Sequence, residues 1–332
     1  MNDLVLKKLN SASITDFQKY IKSNFYETYI VGDKTYLRWQ FDGIILALHR
    51  GQIIGHLGFK DYTYSRIGTV RVFMSLYVCE KYRLSGVAAL VLLEALGAKK
   101  YFLTSGLTPL TDALCGKTIP GWQSSRNMNK FLAVLEDHPR IAEYGLQEKI
   151  RLEAVSAGKE PTARQCSALW EKVRDNYPIT LERTEKYLNW RFFKHPFFSY
   201  EIAAVSAENN LKGFLMWRVE QHDSFRIARV VDAIAEPAYQ EMLFSQFLSA
   251  AKHAHAHAAD FLCSGDLYRE SLKKAGFFDT KGSQFESFPI LWTPLSTKKT
   301  FINVAHDLPQ SIDEMFLTKA DGDQDRPNPS VH

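Results

Sequence analysis

The sequence is poor in cysteine and has no long apolar run. Its four cysteines are far apart in 332 residues and form no CxxC pair, so they indicate neither a disulfide framework nor a zinc site. The longest apolar run, residues 87–93, is far shorter than a membrane-spanning helix, and no signal-peptide core follows the first residues. We therefore expect a cytoplasmic protein that is neither exported nor inserted into a membrane.

The sequence also lacks a strong excess of charge. Lysine and arginine number 41 against 37 acidic residues, which gives a net charge of +4. This excess is too small to predict nucleic-acid binding. With 45% hydrophobic and 23% charged residues, the composition excludes a disordered chain, a collagen and a coiled coil. The length favours two domains of about 150 residues each.

Four short segments recur in the same order along the chain, at offsets of 151 to 159 residues. The pairs are 36–41 with 187–192, Gly55 with Gly213, Arg71-Val72 with Arg229-Val230, and 102–106 with 261–265. This repetition predicts two copies of one domain. We expect copies at 1–143 and 144–300, then a tail at 301–332, with the junction near the Asp-His-Pro break at 137–139.

Apolar periodicity and turn residues predict the same elements in each copy. For the first copy we expect a helix after Ser11 or Ser13, a helix at 86–96, and strands at 4–9, 43–48, 53–59, 69–79, 101–104 and 131–135. For the second copy we expect helices at 162–174, 240–252 and 268–275, and strands at 201–205, 213–219, 226–234, 260–263 and 285–292. Each copy is thus predicted to be an α/β unit with a mainly antiparallel sheet flanked by helices.

Residues 75–88 have the pattern of an anion site. A strand ends in a short loop that contains Gly86 and leads directly into an apolar helix. The first N–H groups of a helix have no partner within the helix, and the helix dipole adds positive charge at that end. Gly86 has no side chain to keep a phosphate away from the backbone.

Arg83, Gly86 and Ala88 stand where the GNAT superfamily of N-acetyltransferases has its pyrophosphate signature: Arg or Gln, two residues, Gly, one residue, Gly or Ala. The chain resembles a tandem GNAT protein, which implies acetyl-CoA as cosubstrate and no metal. The resemblance further implies a bulge in the preceding strand that leaves the Val78 amide to bind the acetyl carbonyl. The implied cofactor-binding residues are Leu76, Val78, Arg83, Leu84, Ser85, Gly86, Val87 and Ala88.

The second copy lacks this loop. Residues 235–242 contain no glycine and place acidic side chains where phosphates would lie, so this copy is not expected to bind coenzyme A. Segments 187–192 and 321–328, with His195-Pro196, resemble tandem GNAT proteins associated with bacterial cell-surface polysaccharide biosynthesis. That resemblance implies a small-molecule primary amine as acceptor, an amino sugar or a nucleotide-linked amino sugar. Where the family often has a tyrosine as proton donor, this sequence has Leu272.

Two other functions stay open at this point. An aminoacyl transferase of double-GNAT fold would need a tRNA-binding surface, which the small net charge does not favour. A non-catalytic binding module is the second alternative.

His56 is the first candidate for the base that removes the amine proton. It lies on the strand before the acetyl-binding strand, between Gly55 and Gly58, and its alternative role is that of a hydrogen-bonded sheet histidine. Asp61 and Tyr77 rank below it.

Asp232 is the second catalytic candidate, because a carboxylate inside an apolar strand needs a partner. That partner is either Arg229 or a substrate group. Arg191 follows aromatic residues and either binds a substrate phosphate or only packs.

The aspartates 321, 323 and 325 have calcium-loop spacing but no glutamate at the twelfth position, which excludes an EF-hand. They form either a solvated acidic end or part of a tail that binds an amino sugar. The alternating histidines 253, 255 and 257 would point to different faces of a helix and are not expected to bind a metal.

Overall fold

The computed structural model describes residues 3–25, 29–144, 160–292 and 295–326. Contacts divide the chain into two compact units. Unit 1 comprises Met1–Arg126, Asn303–Ser311 and Gly322–His332, and unit 2 comprises Asn127–Ile302 and Ile312–Asp321. Both units are therefore discontinuous in sequence.

The strands of the described residues are, in chain order, β1 (Leu4–Lys8), β2 (Gly43–His49), β3 (Gln52–Tyr64), β4 (Gly68–Val78), β5 (Tyr101–Ser105), β6 (Gln123–Asn127), β7 (Asn129–Val134), β8 (Glu201–Ala207), β9 (Asn210–His222), β10 (Phe225–Ala235), β11 (Ala258–Cys263), β12 (Phe278–Asp279), β13 (Leu291–Trp292), β14 (Leu295–Ser296) and β15 (Asn303–His306). The α-helices are α1 (Ile14–Asn24), α2 (Lys34–Gln40), α3 (Val87–Leu96), α4 (Pro109–Thr118), α5 (Pro139–Ala142), α6 (Ala163–Val173), α7 (Glu185–Leu188), α8 (Gln240–His253) and α9 (Arg269–Ala275). None of these helices is long and apolar enough to span a bilayer.

The sheet of unit 1 has the order β1-β2-β3-β4-β5-β15-β6. Its strands pair antiparallel from β1 to β4, β4 pairs with β5 in parallel, and β5 pairs antiparallel with β15. The sheet of unit 2 has the order β8-β9-β10-β11-β7-β12 and the same arrangement, with β10 and β11 as its one parallel pair. The predicted fold class is confirmed: both sheets are mixed and mainly antiparallel, and helices flank them.

Helix α3 packs on unit 1's sheet through an apolar face. Val87, Val91 and Ala95 recur every four residues and are buried, as the 3.6-residue helical period requires. They join β-strand side chains such as Val78 in one core cluster. This packing fixes the start of α3 beside the end of β4.

Two predicted strands lie elsewhere or are absent. The strand predicted at 131–135 to close the first copy is β7, and it belongs to unit 2, where it pairs with β11 and β12. The place beside β5 is taken by β15, from the predicted tail. The strand predicted at 285–292 is wrong for its first half: Ser283 caps a 3-10 turn at Gln284–Ser287, and Pro289 has no N–H to donate to a sheet.

The compact units consequently differ in range from the predicted copies 1–143 and 144–300 and the tail 301–332. Strands β7 and β15 account for part of the difference, because each pairs in a sheet other than the one that its sequence position suggests. The rest comes from the predicted tail, in which Ile312–Asp321 belongs to unit 2. That the two halves are repeated copies remains a proposal.

Candidate functional site

A bulge interrupts β4 just before its end. Gly58 of β3 lies opposite Met74, and His56 lies opposite Tyr77, so two residues, Ser75 and Leu76, face a single residue of β3. Ser75 has a φ of +57°, in the left-handed region, which costs a residue with a side chain about 1–3 kcal/mol. The bulge therefore lies where the sequence resemblance implied one.

The end of β4 directs the Val78 amide away from β3. The N–H of Cys79 donates to the carbonyl of Ile54 at 2.8 Å, and successive residues of an antiparallel strand point their polar groups to opposite sides. The N–H of Val78 thus faces the β5 side of the sheet. There β4 pairs with β5 only over residues 70–73. Val78 therefore presents its N–H to the gap that opens between β4 and β5.

The segment after β4 forms an uncapped helix start. Gly86 is the N-cap of α3 with a φ of +80°, and no side chain caps this end. The N–H of Leu90 donates to the Gly86 carbonyl at 3.1 Å, so the N–H groups of residues 87–89 precede the first bond of the helix. A Cβ atom on Gly86 would meet nothing within 4 Å. The space beside Gly86, at the start of α3, is open.

The predicted loop residues leave this space unfilled. Arg83, Ser85 and Gly86 are exposed, and the Leu84 side chain is 99% exposed. Arg83 Nε donates to the Val78 carbonyl at 3.4 Å. The structure therefore brings the loop residues 83–88 together with Val78 at one end of β4.

In unit 2, the residue that corresponds to Val78 has an N–H group that is already hydrogen-bonded. Ala235 lies opposite Gly213 as Val78 lies opposite Gly55, and its N–H donates to the Tyr177 hydroxyl at 2.8 Å. The Tyr177 hydroxyl is also 2.5 Å from that of Tyr268, and both rings are buried. Two tyrosine hydroxyls thus lie beside the end of β10, beyond its pairing with β11. Burial raises the pKa of Tyr177 to about 12, so its hydroxyl is protonated at neutral pH.

Unit 2 also differs from unit 1 at the start of its helix α8. Glu236 precedes α8 and accepts hydrogen bonds from Lys212 at 3.2 Å to each carboxylate oxygen. Glu236 is the N-cap of the 3-10 turn that leads into α8, and its side chain makes no capping hydrogen bond there.

His56 lies in the core of unit 1. It is fully buried, its Nδ1 is 3.2 Å from the Tyr20 hydroxyl, and its Nε2 is 3.2 Å from Ser75 Oγ. The ring of Phe17 packs edge-on against it. Burial lowers the pKa of His56 to about 3, so the imidazole is neutral and a weak proton acceptor. This geometry favours a hydrogen-bonded sheet histidine, and the base role remains a prediction without geometric support.

The pKa of His56 predicts an acid-dependent loss of stability. In the unfolded chain imidazole titrates near its ordinary value of 6.5, whereas in the folded protein the pKa is about 3. Between these values only the unfolded state takes up the proton. The free energy of unfolding therefore decreases by up to about 1.4 kcal/mol for each unit by which the pH is lowered. This contribution is intact above pH 6.5 and is lost as pH falls toward 3.

We expect His56→Gln to remove that contribution. We expect the free energy of unfolding, measured by urea denaturation, to fall between pH 7.5 and 5.0 in both proteins. The decrease should be about 2 kcal/mol smaller in the variant than in the wild type. His306 is also buried, with its pKa lowered to about 4 by burial, but it is present in both proteins and its effect cancels. Equal losses in the two proteins would contradict the buried, neutral state of His56.

The two lower-ranked candidates have structural partners. Asp61 accepts from Arg71 at 2.7 and 2.9 Å and lies 3.1 Å from Lys99. Burial raises its pKa, but the hydrogen bonds from Arg71 and Lys99 outweigh burial and lower the pKa overall. The Tyr77 hydroxyl donates to Asn24 Oδ1 at 3.3 Å and is half-buried. Of the two, Tyr77 is beside the gap.

Asp232 is fully buried, and its partner is a residue that the sequence did not suggest. Arg183 binds it through two nitrogens, at 2.9 and 3.2 Å, and the Thr318 hydroxyl donates to it at 3.3 Å. The expectation that Arg229 is the partner is wrong, because Arg229 binds Glu220 and Asp260. Asp232 therefore sits in a buried ion pair of unit 2, an arrangement that supports a structural role.

The remaining candidates are also held by protein contacts. Arg191 is buried and donates to the Tyr200 hydroxyl at 2.8 Å, which favours packing over phosphate binding. The expectation of a solvated acidic end is wrong, since Asp321, Asp323 and Asp325 are all buried. Leu272 is a core residue of unit 2.

Within residues 3–25, 29–144, 160–292 and 295–326, no group of three or more His, Cys, Asp or Glu side chains could hold a metal ion. His253 Nδ1 donates to the Ser249 carbonyl at 2.7 Å, and His257 Nδ1 accepts from the Arg226 N–H at 3.0 Å. The side chains of His253 and His257 thus make local hydrogen bonds.

Sequence reasoning did not identify Tyr177, Tyr268 or Arg183. Tyr268 lies three residues after segment 261–265, which repeats segment 102–106. Its position after a repeated segment was the one available signal for it. Tyr177 and Arg183 come from a segment with no counterpart among the repeated motifs.

The fold is that of GNAT-type N-acyltransferases. A Saccharomyces cerevisiae N-myristoyltransferase with bound myristoyl-CoA has 10% identity and a TM-score of 0.56 over 94% of this chain and 84% of its own. An Enterococcus faecalis V583 protein described as a probable N-acyltransferase has 6% identity and a TM-score of 0.59, covering 93% of this chain and 73% of its own. A GCN5-related N-acetyltransferase from Anabaena variabilis has 10% identity and a TM-score of 0.53, covering 91% and 72%. No protein-family profile matches the sequence, and no curated protein sequence matches it significantly.

Proposed function

We propose that the protein is an N-acyltransferase that takes an acyl group, acetyl in the simplest case, from a coenzyme A thioester bound to unit 1. The observation that carries this proposal is the pairing of two features at one end of β4. An amide N–H faces the β5 side of β4 beyond the residues that pair with β5, and an uncapped helix start with a left-handed glycine follows within nine residues.

The helix start fits a pyrophosphate. Free N–H groups, the dipole of α3 and the open space beside Gly86 all favour an anion. Arg83 is exposed and already reaches the Val78 carbonyl, so its guanidinium is placed between the loop and the gap. Leu84, Ser85, Val87 and Ala88 complete the loop, and Leu76 precedes the gap on the bulge.

The bound thioester supplies an activated acyl carbonyl. When an amine attacks, negative charge develops on the carbonyl oxygen, and a fixed N–H directed at that oxygen stabilises the transition state by about 3 kcal/mol in comparable sites. Val78 supplies such an N–H. The bulge at Ser75 and Leu76 fixes the direction of this group, because it sets the register in which β4 ends.

Unit 2 does not contribute a second thioester site. The Tyr177 and Tyr268 hydroxyls lie beside the end of β10, and Tyr177 already uses the Ala235 N–H. One bound thioester per chain is the stoichiometry that this difference supports.

The acceptor is a primary amine. We propose an amino sugar or a nucleotide-linked amino sugar, used in cytoplasmic glycan-precursor synthesis. This assignment of the acceptor rests on the resemblance of segments 187–192 and 321–328 alone. No metal enters this proposal.

A thiol-release assay tests the reaction. Acetyl-CoA, and myristoyl-CoA in parallel, should give free thiol in proportion to enzyme when glucosamine, UDP-linked amino sugars or peptides with free amino termini are supplied. Release that depends on an amine supports the proposal. Calorimetric binding of acetyl-CoA without release from any amine would favour the binding module, and release that requires charged tRNA would favour an aminoacyl transferase. Absence of both binding and release would overturn the proposal.

A further inference from the structure

The C-terminal segment of unit 1, residues 322–326, lies against the end of β5. The Nε2 of Gln324 donates to the Ser105 carbonyl at 3.3 Å. Gly106 has a φ of +71°, and a Cβ atom there would come within 2.8 Å of the same nitrogen. The missing side chain of Gly106 therefore gives Gln324 its place beside β5.

The Ser105 carbonyl shows on which side of β5 this glutamine lies. The N–H of Gly106 donates to the Asn303 carbonyl of β15 at 2.8 Å, and β15 is on the side of β5 away from β4. The C=O and the N–H of one trans peptide group point in opposite directions, so the Ser105 C=O points toward β4. Pairing of β5 with β4 ends at Thr104. The Gln324 carboxamide thus lies between β4 and β5, just beyond their last pair.

Val78 directs its N–H into the same space from the other strand. The parallel register pairs Phe73 with Thr104, which places Ser105 level with Met74. Val78 follows Met74 by four residues, and the bulge takes up one of them, which leaves about 10 Å at about 3.3 Å per residue. A carbonyl bound to one N–H, an attacking amine and a second hydrogen bond of about 2.9 Å together span a similar length.

The carboxamide of Gln324 has one free acceptor. Its Nε2 has two hydrogens, and it donates to Ser105 and also to Asp323 Oδ1 at 3.2 Å. Reversing the amide would set its oxygen against these two oxygens, so the contacts fix which atom is the nitrogen. Gln324 is half-buried, and its Oε1 accepts no hydrogen bond from the residues that the structure describes.

A fixed amide oxygen at this place suits an amine. It accepts a hydrogen bond from an N–H group, and as a neutral amide it does not remove the proton. A neutral primary amine can bind Oε1 through one N–H while its lone pair is directed at the thioester carbonyl. Holding the two reactants in this geometry lowers the barrier to attack.

We infer that Gln324 binds the acceptor amine and directs it at the acyl carbonyl held by Val78. This inference rests on the proposed function and adds a residue of the C-terminal segment to its site. In the transfer the C–N bond forms and the C–S bond breaks. The amine loses one proton to water, and the leaving thiolate takes one up from water, so no further reactant is needed.

Gln324→Met tests the inference, because it keeps the length of the side chain and removes the acceptor. With the most active amine of the thiol-release panel at saturating acetyl-CoA, kcat/KM for the amine should fall about 10-fold, mainly through KM. The dissociation constant for acetyl-CoA, measured by calorimetry, should stay within about twofold. Hydrolysis of acetyl-CoA in the absence of amine should not change, since water does not need this contact.

Gln123 provides a matched control in the same unit. Its Nε2 also donates to two carbonyls, those of Leu308 and Gln310, at 2.9 and 3.3 Å. It lies on β6, at the edge of the sheet. Gln123→Met should therefore lose similar structural hydrogen bonds and leave kcat/KM for the amine unchanged.

A glycine variant tests the same contact through the backbone. Gly106→Ala should displace the carboxamide and raise KM for the amine, whereas Gly68→Ala should not. Gly68 has a φ of +81°, and a Cβ there would meet nothing within 4 Å, so it controls for strain. In the double variant of Gly106→Ala with Gln324→Met the two effects should be less than additive, because they act on one contact.

The outcomes separate this inference from the proposed function. If the wild type transfers acetyl to an amine and Gln324→Met has the same kcat/KM for it, the role of Gln324 is refuted and the proposed function stands. The same holds if the variant weakens acetyl-CoA binding as much as it raises KM for the amine. If the wild type gives no release with any amine, the proposed function fails and this inference fails with it.

Discussion

Replacing Gly86 by glutamate is expected to raise the dissociation constant for acetyl-CoA by about 100-fold, which corresponds to about 2.7 kcal/mol. Two effects act together. A side chain is strained at a φ of +80°, and a carboxylate at the start of α3 would occupy the anion site and repel the phosphates. Calorimetric titration of the purified variant measures the change.

Gly51 provides a matched control for the backbone part of this effect. It has a φ of +77°, and a Cβ there would also meet nothing within 4 Å, but it lies in the turn between β2 and β3. Gly51→Glu should therefore lose similar stability and keep its affinity for acetyl-CoA. If both variants bind equally well, or both lose binding, the loop at 83–88 is not the pyrophosphate site.

Asp232→Asn is expected to lower the free energy of unfolding by about 3–5 kcal/mol. The substitution keeps the shape of the side chain but leaves the charge of Arg183 buried and unpaired. Urea denaturation followed by circular dichroism measures the loss. Asp223→Asn is the control, since Asp223 is 72% exposed and pairs with Arg140 at the surface; its loss should stay within about 1 kcal/mol.

A double variant distinguishes a structural ion pair from a catalytic carboxylate. Arg183→Met with Asp232→Leu removes both charges, and it should recover most of the stability lost in Asp232→Asn. It should also retain acyl transfer. If instead Asp232→Asn folds with wild-type stability and loses transfer at saturating acetyl-CoA, Asp232 acts on the acceptor.

Much of the first unit's candidate site could be predicted because its residues are contiguous. The end of β4, the bulge, the loop and the start of α3 all lie within 75–88. Local patterns and glycine placement predicted the strand, the loop and the helix, and the family resemblance implied the bulge. The second unit was harder, because its interactions join distant segments. Asp232 binds Arg183, 49 residues away, and the Ala235 N–H binds Tyr177, 58 residues away. No periodicity encodes such pairs.

The positions of the strands could be predicted from the sequence, but the pairing of the strands could not. The alternation of apolar residues at 131–135 indicates a strand, but pairing with β11 rather than β5 depends on which edge is available in three dimensions. The buried aspartates near residue 323 show the same limit, because their composition is that of a solvated tail. Burial of Asp323 comes from its contact with Arg326 at 3.2 Å and from surrounding chain.

The position of β15 has a consequence for synthesis. This strand lies between β5 and β6 in the sheet of unit 1, yet it is translated almost 200 residues after β5. While the ribosome is still producing unit 2, β5 has an unsatisfied edge, and such edges associate with other chains. The nascent amino-terminal half must therefore wait for residues 303–306 before its sheet can close, and proteins of this kind are expected to need chaperones or slow translation to avoid aggregation before release.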